Sequence, residues 1–321
     1  MTTPLIRSFN RSSWHRLVSI ALAGAASMAI VTLPMSSTSA GAGTDSKLII
    51  AVGAENEYAN VIGQIGGQYV KVSSILSDPN TDPHTFEASP SVAEVISAAQ
   101  LIVQNGVGYD GFMNKIEAAS PNTKRKVIVV QDVLGLPTDT PNPHLWYSPK
   151  TMPAVASAVA KDLEKLDPSH ASYFRKNLST FDASLQPWLR SIAAFKATYP
   201  DTPVAVTEPV ADYLLKAMGM RILTPFVFQA DIMNGVDPAP EDISLEEGFF
   251  TKQEVKVFCY NQQVVDSLTS TIKQTAISAK VPVVGVYETM PTPGYDYQSW
   301  MLAEVKAIEA AITHHRSTEK L

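Results

Sequence analysis

Two short motifs in this sequence place a histidine directly after a proline. They are Asp82-Pro83-His84-Thr85-Phe86-Glu87 and Asn142-Pro143-His144-Leu145-Trp146. Proline restricts the residue before it to extended geometry, so each imidazole is expected to project from a stiffened loop. A single loop histidine is more often a hydrogen-bonded structural residue, but two rigidly held histidines commonly share a metal ion.

Two glutamates complete a candidate set of metal ligands. Glu208 follows the apolar run 203–207, and Glu288 follows the apolar run 283–287. Either glutamate alone would be more readily explained as a helix cap. However, His84 and His144 also follow predicted strands, and the carboxyl ends of parallel strands form the ligand crevice of an α/β protein. Imidazole with carboxylate suits Mn²⁺, Zn²⁺ or Fe²⁺ and not Cu⁺, which prefers sulfur.

The elements that must position these residues alternate between strands and helices. Predicted strands cover residues 47–53, 70–76, 101–104, 126–130, 203–206, 221–223, 255–260 and 281–286. Such alternation is typical of βαβ units and a mostly parallel sheet. Residues 168–198 carry an apolar stripe at helical spacing, in which Pro187 predicts either a kink or a junction of two helices. The segment 231–244, rich in Asp and Pro, is predicted to be a loop.

We therefore predict an α/β protein of two lobes with mostly parallel sheets flanked by helices, joined by one long spanning helix. The expected division is a signal peptide and short join at 1–45, an N-terminal α/β lobe at 46–166, the spanning helix at 167–199 and a C-terminal α/β lobe at 200–321. A chain of 321 residues has the length of about two ordinary domains.

The N-terminal segment has the layout of a secretory signal peptide. Residues 1–40 contain three arginines and no acidic residue, residues 17–35 are apolar, and residues 36–42 are small. Cleavage is expected near Ala40 or Ala42. The apolar run exceeds the usual length of about 7 to 15 residues, so an uncleaved anchor is the alternative. No cysteine lies near the cleavage region, which argues against a lipoprotein and for a soluble periplasmic protein.

Net charge and cysteine content limit the kinds of binding partner and the disulfide bonds that this protein could have. The net charge is −6, and removal of the leader takes away only basic residues. An acidic surface disfavours nucleic acid and favours a cation. The only cysteine, Cys259, cannot form an internal disulfide and is expected to be a buried, inert thiol.

Two other functional classes compete with a metal receptor. A secreted metal-dependent hydrolase commonly has three protein ligands, an open water position and a separate base. The sequence lacks the His-Glu-x-x-His and Gly-x-Ser-x-Gly motifs of such enzymes. A receptor for an organic ligand would place aromatic and arginine side chains at the strand ends. The four His and Glu residues favour binding without catalysis, so we do not expect an enzyme.

The motifs together resemble a known family. Ala54-Glu55-Asn56-Glu57-Tyr58, the two proline-histidine motifs and the strand-end residues Glu208 and Glu288 resemble the metal-binding receptors of bacterial ABC importers, solute-binding protein family 9 (cluster A-I). In that family the fourth ligand is usually aspartate, so Glu288 departs from the pattern by one methylene.

The resemblance implies two α/β lobes joined by a rigid helix, with one divalent metal ion held between them as cargo for a membrane permease. It implies His84, His144, Glu208 and Glu288 as the ligands. Glutamate as the third metal ligand, here Glu208, and the absence of a histidine-rich loop favour Mn²⁺ over Zn²⁺, with Fe²⁺ as a further candidate. Zn²⁺ should still bind tightly in vitro, because affinity rises toward zinc along the divalent series. A monomer is expected.

Overall fold

The computed structural model describes residues 48–80 and 82–321. These residues belong to one compact unit, Asp45–Leu321. The predicted signal peptide lies outside the described residues. Within the described ranges, no helix combines the length and the apolar character needed to cross a membrane.

The first half of the chain builds a four-stranded parallel sheet in the order β2-β1-β3-β4. Its strands are β1 (Ile49–Glu55), β2 (Val70–Leu76), β3 (Leu101–Gln104) and β4 (Lys126–Val129). Its helices are α1 (Asn56–Gly66), α2 (Pro90–Ala98), α3 (Gly111–Ala119), α4 (Val130–Val133) and α5 (Thr151–Leu166). Every residue of β3 is buried, as expected for a central strand covered by helices on both faces.

The second half repeats this architecture with the order β6-β5-β7-β8, again fully parallel. Its strands are β5 (Pro203–Val206), β6 (Arg221–Ile222), β7 (Val257–Asn261) and β8 (Val283–Val286). Its helices are α8 (Asp212–Ala217), α9 (Phe226–Met233), α10 (Pro240–Thr251), α11 (Ser267–Ser278) and α12 (Tyr297–His314). The predicted fold class, two parallel α/β lobes, is confirmed.

The spanning segment consists of two successive helices, α6 (Ala171–Ser184) and α7 (Gln186–Thr198). They meet at Leu185, two residues before Pro187, which has no N–H to donate to the preceding turn. Of the two outcomes predicted for Pro187, a kink or a junction of two helices, the structure has the junction. Helix α6 packs against α1 and α5, whereas α7 packs against α12, so the segment contacts helices of both halves.

The prediction of a loop over residues 231–244 is wrong at both ends. Helix α9 extends to Met233 and α10 begins at Pro240, so the segment without regular structure is only 234–239. Proline is well tolerated in the first turn of a helix, and Glu241 and Asp242 there interact favourably with the helix dipole. Helix α11 was not predicted, although Asp266 and Thr269 form a capping box at its start.

One continuous apolar core connects the two sheets through α6 and α7. Large aromatic side chains fill it where the halves meet. Trp188 packs edge-on against Tyr297 with ring centroids 5.8 Å apart, and the Tyr297 hydroxyl donates to the Trp146 carbonyl over 2.7 Å. This packing opposes large rotations of one sheet against the other.

Candidate metal centre

The two histidine motifs share one hydrogen-bond pattern. Asp82 Oδ1 accepts a hydrogen bond from the His84 backbone N–H at 2.8 Å, and Asn142 Oδ1 accepts one from the His144 N–H at 3.0 Å. In each case an Asp or Asn side chain bonds the backbone two residues later and closes an Asx turn around the proline. The turn and the proline ring together hold each imidazole in place, as the sequence predicted.

Asn142 also selects the tautomer of His144. Its Oδ1 lies 2.8 Å from His144 Nδ1, while its Nδ2 donates to the Pro209 carbonyl at 2.7 Å. Because the amide oxygen can only accept, Nδ1 carries the proton. The lone pair of a neutral His144 is therefore on Nε2, the nitrogen that faces the other candidate ligands.

Glu288 brings the two histidines together. Its Oε2 lies 3.1 Å from His84 Nε2 and 3.3 Å from His144 Nε2, and it accepts a hydrogen bond from the Tyr109 hydroxyl at 3.0 Å. One ligand atom from each of His84, His144 and Glu288 lies within 4.8 Å of the others. Two donors of a tetrahedral ion with bonds of about 2.1 Å stand roughly 3.4 Å apart, so these separations fit a shared ion.

Glu208 stands beside this cluster and outside it. It follows β5, is 2% exposed and accepts a hydrogen bond through Oε1 from Asn261 Nδ2 at 3.0 Å. The same Nδ2 donates to Glu288 Oε1 at 2.7 Å. Glu208 Oε2 is buried and has no hydrogen-bond partner. A buried carboxylate oxygen without a partner is unfavourable, and a cation or a proton would relieve it.

The charges at the site are unequal. Burial and the neighbouring charge of Glu288 raise the pKa of Glu208 well above its usual value, although the bond from Asn261 opposes this. Burial alone would raise the pKa of Glu288, but the hydrogen bonds and charges of His144 and His84 hold it well below its ordinary value. The histidines therefore favour the charged form of Glu288, whereas burial disfavours the charged form of Glu208.

The two imidazoles also differ. Burial lowers the pKa of His144 and outweighs its contact with Glu288. Burial lowers the pKa of His84 as well, but the hydrogen bond and charge of Glu288 together outweigh it and raise this pKa above its usual value. His84 is the more accessible of the two, with 23% of its side chain exposed against none for His144. A cleft of about 510 Å³, lined in part by Asp82, Gly235 and Asp266, opens onto His84.

Neutral amides to which the sequence analysis assigned no role organise the region around Glu288. Gln263 Oε1 accepts from the backbone N–H groups of Glu288 and Thr289 at 2.6 and 2.9 Å. Asn56 pairs with the backbone of Met290, donating to its carbonyl at 2.8 Å and accepting from its N–H at 2.9 Å. Both amides follow predicted strands, so a search of strand ends that included Asn and Gln would have found them.

Sequence comparison places the chain among transport proteins. The profile of the family described as "ZnuA: Zinc-uptake complex component A periplasmic" matches residues 52–311. The metal ABC transporter substrate-binding lipoprotein SloC of Streptococcus mutans is 23% identical over 256 residues, 74% of this chain and 82% of SloC. The manganese-binding lipoprotein MntA of Bacillus subtilis is 27% identical over 154 residues, which cover 46% of this chain and 50% of MntA.

Solved structures share the fold. The substrate-binding protein FpvC of Pseudomonas aeruginosa in complex with Mn²⁺ superposes with a TM-score of 0.67 and 21% identity, covering 84% of this chain and 99% of FpvC. A crystal structure of ZnuA superposes with a TM-score of 0.65 and 21% identity, covering 82% of this chain and 98% of that one. The profile match over most of the chain shows that this protein belongs to the ZnuA family, the metal-binding receptors of bacterial ABC importers in solute-binding protein family 9.

Proposed function

We propose that this chain captures one divalent transition metal ion with His84, His144, Glu208 and Glu288 and delivers it to the membrane permease of an ABC importer. The observation that carries the proposal is the convergence of His84, His144 and Glu288, whose ligand atoms lie within 4.8 Å of one another. The unpartnered Oε2 of Glu208 beside them supports a fourth bond.

We propose Mn²⁺ rather than Zn²⁺ as the physiological cargo, with Fe²⁺ as a further candidate. Two carboxylates add oxygen character to the site, which suits Mn²⁺ better than a set of three histidines would. MntA of Bacillus subtilis is named as manganese-binding, and FpvC was solved with Mn²⁺, while the family itself is named for zinc uptake. Zinc is expected to bind at least as tightly in vitro, because affinity rises along the divalent series.

Capture and handover, without catalysis, fit the position of the ligands. The loop after β2 and the segment between α4 and α5 supply the histidines, and the loops after β5 and β8 supply the glutamates, so a bound ion would clasp the two halves together. A permease that favours the metal-free arrangement would promote release. The shared aromatic core limits the motion that release requires to small rotations. No observation supports the alternative of a metal-dependent hydrolase.

We further propose an exported, monomeric protein with the boundaries 1–45, 46–166, 167–199 and 200–321 given above. The family is described as periplasmic. SloC and MntA are named as lipoproteins, whereas the only cysteine of this chain is Cys259, which is buried in β7. A lipid anchor on an N-terminal cysteine is therefore not part of the proposal.

Calorimetry on the purified protein tests the proposal. Wild type should bind close to one Mn²⁺ or Zn²⁺ per chain. His144→Ala should weaken binding by more than about 100-fold, because loss of a direct ligand exceeds the 10- to 100-fold effect of an outer-shell partner. The matched control is His170→Ala, which removes a histidine that bonds Asp167 and stacks on Tyr69 in a surface turn.

The control variant should bind as wild type does, and thermal melting should show that both variants fold. Retained affinity in folded His144→Ala contradicts the assigned site, and a wild-type protein with no affinity for either metal contradicts the function. Growth of a deletion strain starved of manganese or of zinc identifies the cargo. Rescue by added zinc alone would overturn the choice of Mn²⁺.

A further inference from the structure

Asn261 occupies the position between the two glutamates. It is the last residue of β7, the strand that lies between β5 and β8 in the second sheet, and it is fully buried. Glu208 follows β5 and Glu288 follows β8, so the order of parallel strands places the Asn261 side chain between these two carboxylates. Chain distance gives no indication of this arrangement, since each glutamate is far from Asn261 in sequence.

The orientation of the Asn261 amide is determined by its contacts. Oδ1 accepts a hydrogen bond from the Gln263 N–H at 3.0 Å, and the backbone N–H of Asn261 donates to Thr207 Oγ1 at 3.0 Å. With the oxygen occupied in this way, Nδ2 faces the two carboxylates. It donates to Glu208 Oε1 at 3.0 Å and to Glu288 Oε1 at 2.7 Å. An amide nitrogen has two hydrogens, and both are used here.

Each glutamate is thereby left with one oxygen, Oε2, that Asn261 does not bond. Glu288 Oε2 faces both imidazoles and accepts a hydrogen bond from the Tyr109 hydroxyl, and Glu208 Oε2 is buried without a hydrogen-bond partner. We propose that Asn261 is a specificity-determining positioning residue that withholds Oε1 of both glutamates from the metal ion. The ion then receives four protein donors, one from each side chain. This inference rests on the proposed function, because it takes Glu208 and Glu288 as ligands.

The number of donors decides how well each ion is held. Two nitrogens and two oxygens complete the tetrahedral set that Zn²⁺ adopts in proteins. Mn²⁺ favours octahedral surroundings rich in oxygen, so four protein donors leave it with positions for water. With Asn261 in place, the site would therefore hold Mn²⁺ less firmly than a site in which both carboxylates chelate the ion. An incompletely enclosed Mn²⁺ exchanges its ligands more readily, which suits a receptor that must release its cargo.

Removal of the amide tests this role. Asn261→Ala frees both Oε1 atoms, so the protein could offer up to six donors. We expect the ratio of Kd for Mn²⁺ to Kd for Zn²⁺ to fall by about 10-fold, the lower end of the effect of an outer-shell residue. Bound Co²⁺ reports the geometry independently: its strong visible band in a four-coordinate site should weaken as the coordination number rises. The matched control is Gln229→Ala, which removes another buried amide of the same half, bonded to the Thr224 carbonyl.

The control should leave both the affinity ratio and the Co²⁺ spectrum unchanged. A parallel loss of Mn²⁺ and Zn²⁺ affinity in Asn261→Ala, with the strong Co²⁺ band retained, overturns the proposal, because Asn261 would then only hold the carboxylates in place. A further outcome separates this inference from the proposed function. If Asn261→Ala changes neither the affinity ratio nor the Co²⁺ spectrum, this inference fails. The proposed function still stands in that case, provided that wild type binds one ion and His144→Ala does not. If wild type binds no ion, the proposed function fails first.

A measurement on wild type keeps the test valid if Asn261→Ala does not fold. X-ray absorption and a crystal structure of the Zn²⁺-loaded and Mn²⁺-loaded protein should show one metal–oxygen bond from each glutamate, with both Oε1 atoms still bonded to Asn261. Chelation of either ion by both oxygens of Glu208 or of Glu288 would overturn the inference.

Discussion

Asn56→Ala should loosen the segment that carries Glu288 without removing any candidate ligand. Asn56 begins α1, in the first half of the chain, and its side chain forms two hydrogen bonds with the backbone of Met290 in the second half. Met290 is only 3% exposed, so water does not replace these bonds when the amide is lost. Alanine is a strong helix former, so α1 itself should not be weakened.

The expected loss follows from these contacts. An unsatisfied buried backbone group costs about 1 to 3 kcal/mol, so two such groups at Met290 should lower the free energy of unfolding by about 2 to 6 kcal/mol. For a protein of this size that corresponds to a melting temperature lower by roughly 3 to 10 °C. Since Met290 lies two residues after Glu288, Kd for Mn²⁺ should rise by about 10-fold, as for an outer-shell partner.

Denaturant unfolding of the metal-free protein and calorimetry with Mn²⁺ measure these two quantities. Asn60→Ala is the matched control, because Asn60 also lies in α1 and accepts a bond from the second half, the Tyr297 N–H at 3.1 Å. It should cost about 1 kcal/mol of stability and leave Kd unchanged. The reasoning is refuted if Asn56→Ala melts and binds as wild type does. An equal rise in Kd for both variants would show that the effect is not local to Glu288.

Two further predictions concern stability. Burial raises the pKa of Glu304 from its ordinary value of 4.5 to about 8. Folding therefore makes this carboxyl take up a proton between these pH values, so Glu304 by itself should lower stability by up to about 1.4 kcal/mol per pH unit as pH rises through this window. Burial also raises the pKa of Glu57 and Glu246 to about 8, so these residues add slopes of their own. Glu304→Gln should remove only the Glu304 contribution, so the stability of the variant relative to wild type in urea unfolding should rise by about 2 kcal/mol from pH 6 to pH 8; an equal difference at both pH values contradicts the assignment. Gly53→Ala should destabilise by about 3 kcal/mol or more, because its Cβ would lie 2.3 Å from the Ala59 backbone nitrogen. Gly63→Ala, with no atom within 4 Å of its Cβ, should stabilise α1 by about 1 kcal/mol, and similar thermal melts for the two variants would refute this account.

Much of the fold could be predicted because its strands are short, continuous apolar runs. The predicted bounds of β2, β3 and β5 match the structure residue for residue. Buried parallel strands such as β3 and β5 need apolar side chains on both faces. The edge strand β2 is mostly half-buried and also contains Lys71 and two serines. Helices α9 and α10 were harder to predict, because polar and proline-containing sequence describes a helix start as well as a loop.

The candidate site could be predicted in part for a related reason. The ends of parallel strands meet at one edge of a sheet, so ionisable residues at those ends were expected to converge, and His84, His144 and Glu288 do. Glu208 was expected to join them equally. It lies outside the cluster and is bonded through Oε1 to Asn261, a contact between neighbouring strands that are separated in the chain.

The sequence by itself determined the local chemistry of this protein: which residues are rigidly presented, which runs are buried strands, and which elements could bind a divalent cation. Those features depend on residue type and on neighbours a few positions away. Tertiary structure alone decided which oxygen of each glutamate is bonded by Asn261 and which hydrogen bonds the amides of the second half form around Glu288. These depend on strand order and on hydrogen bonds between residues far apart in the chain, and a neutral Asn or Gln carries no charge that would mark it in the sequence beforehand.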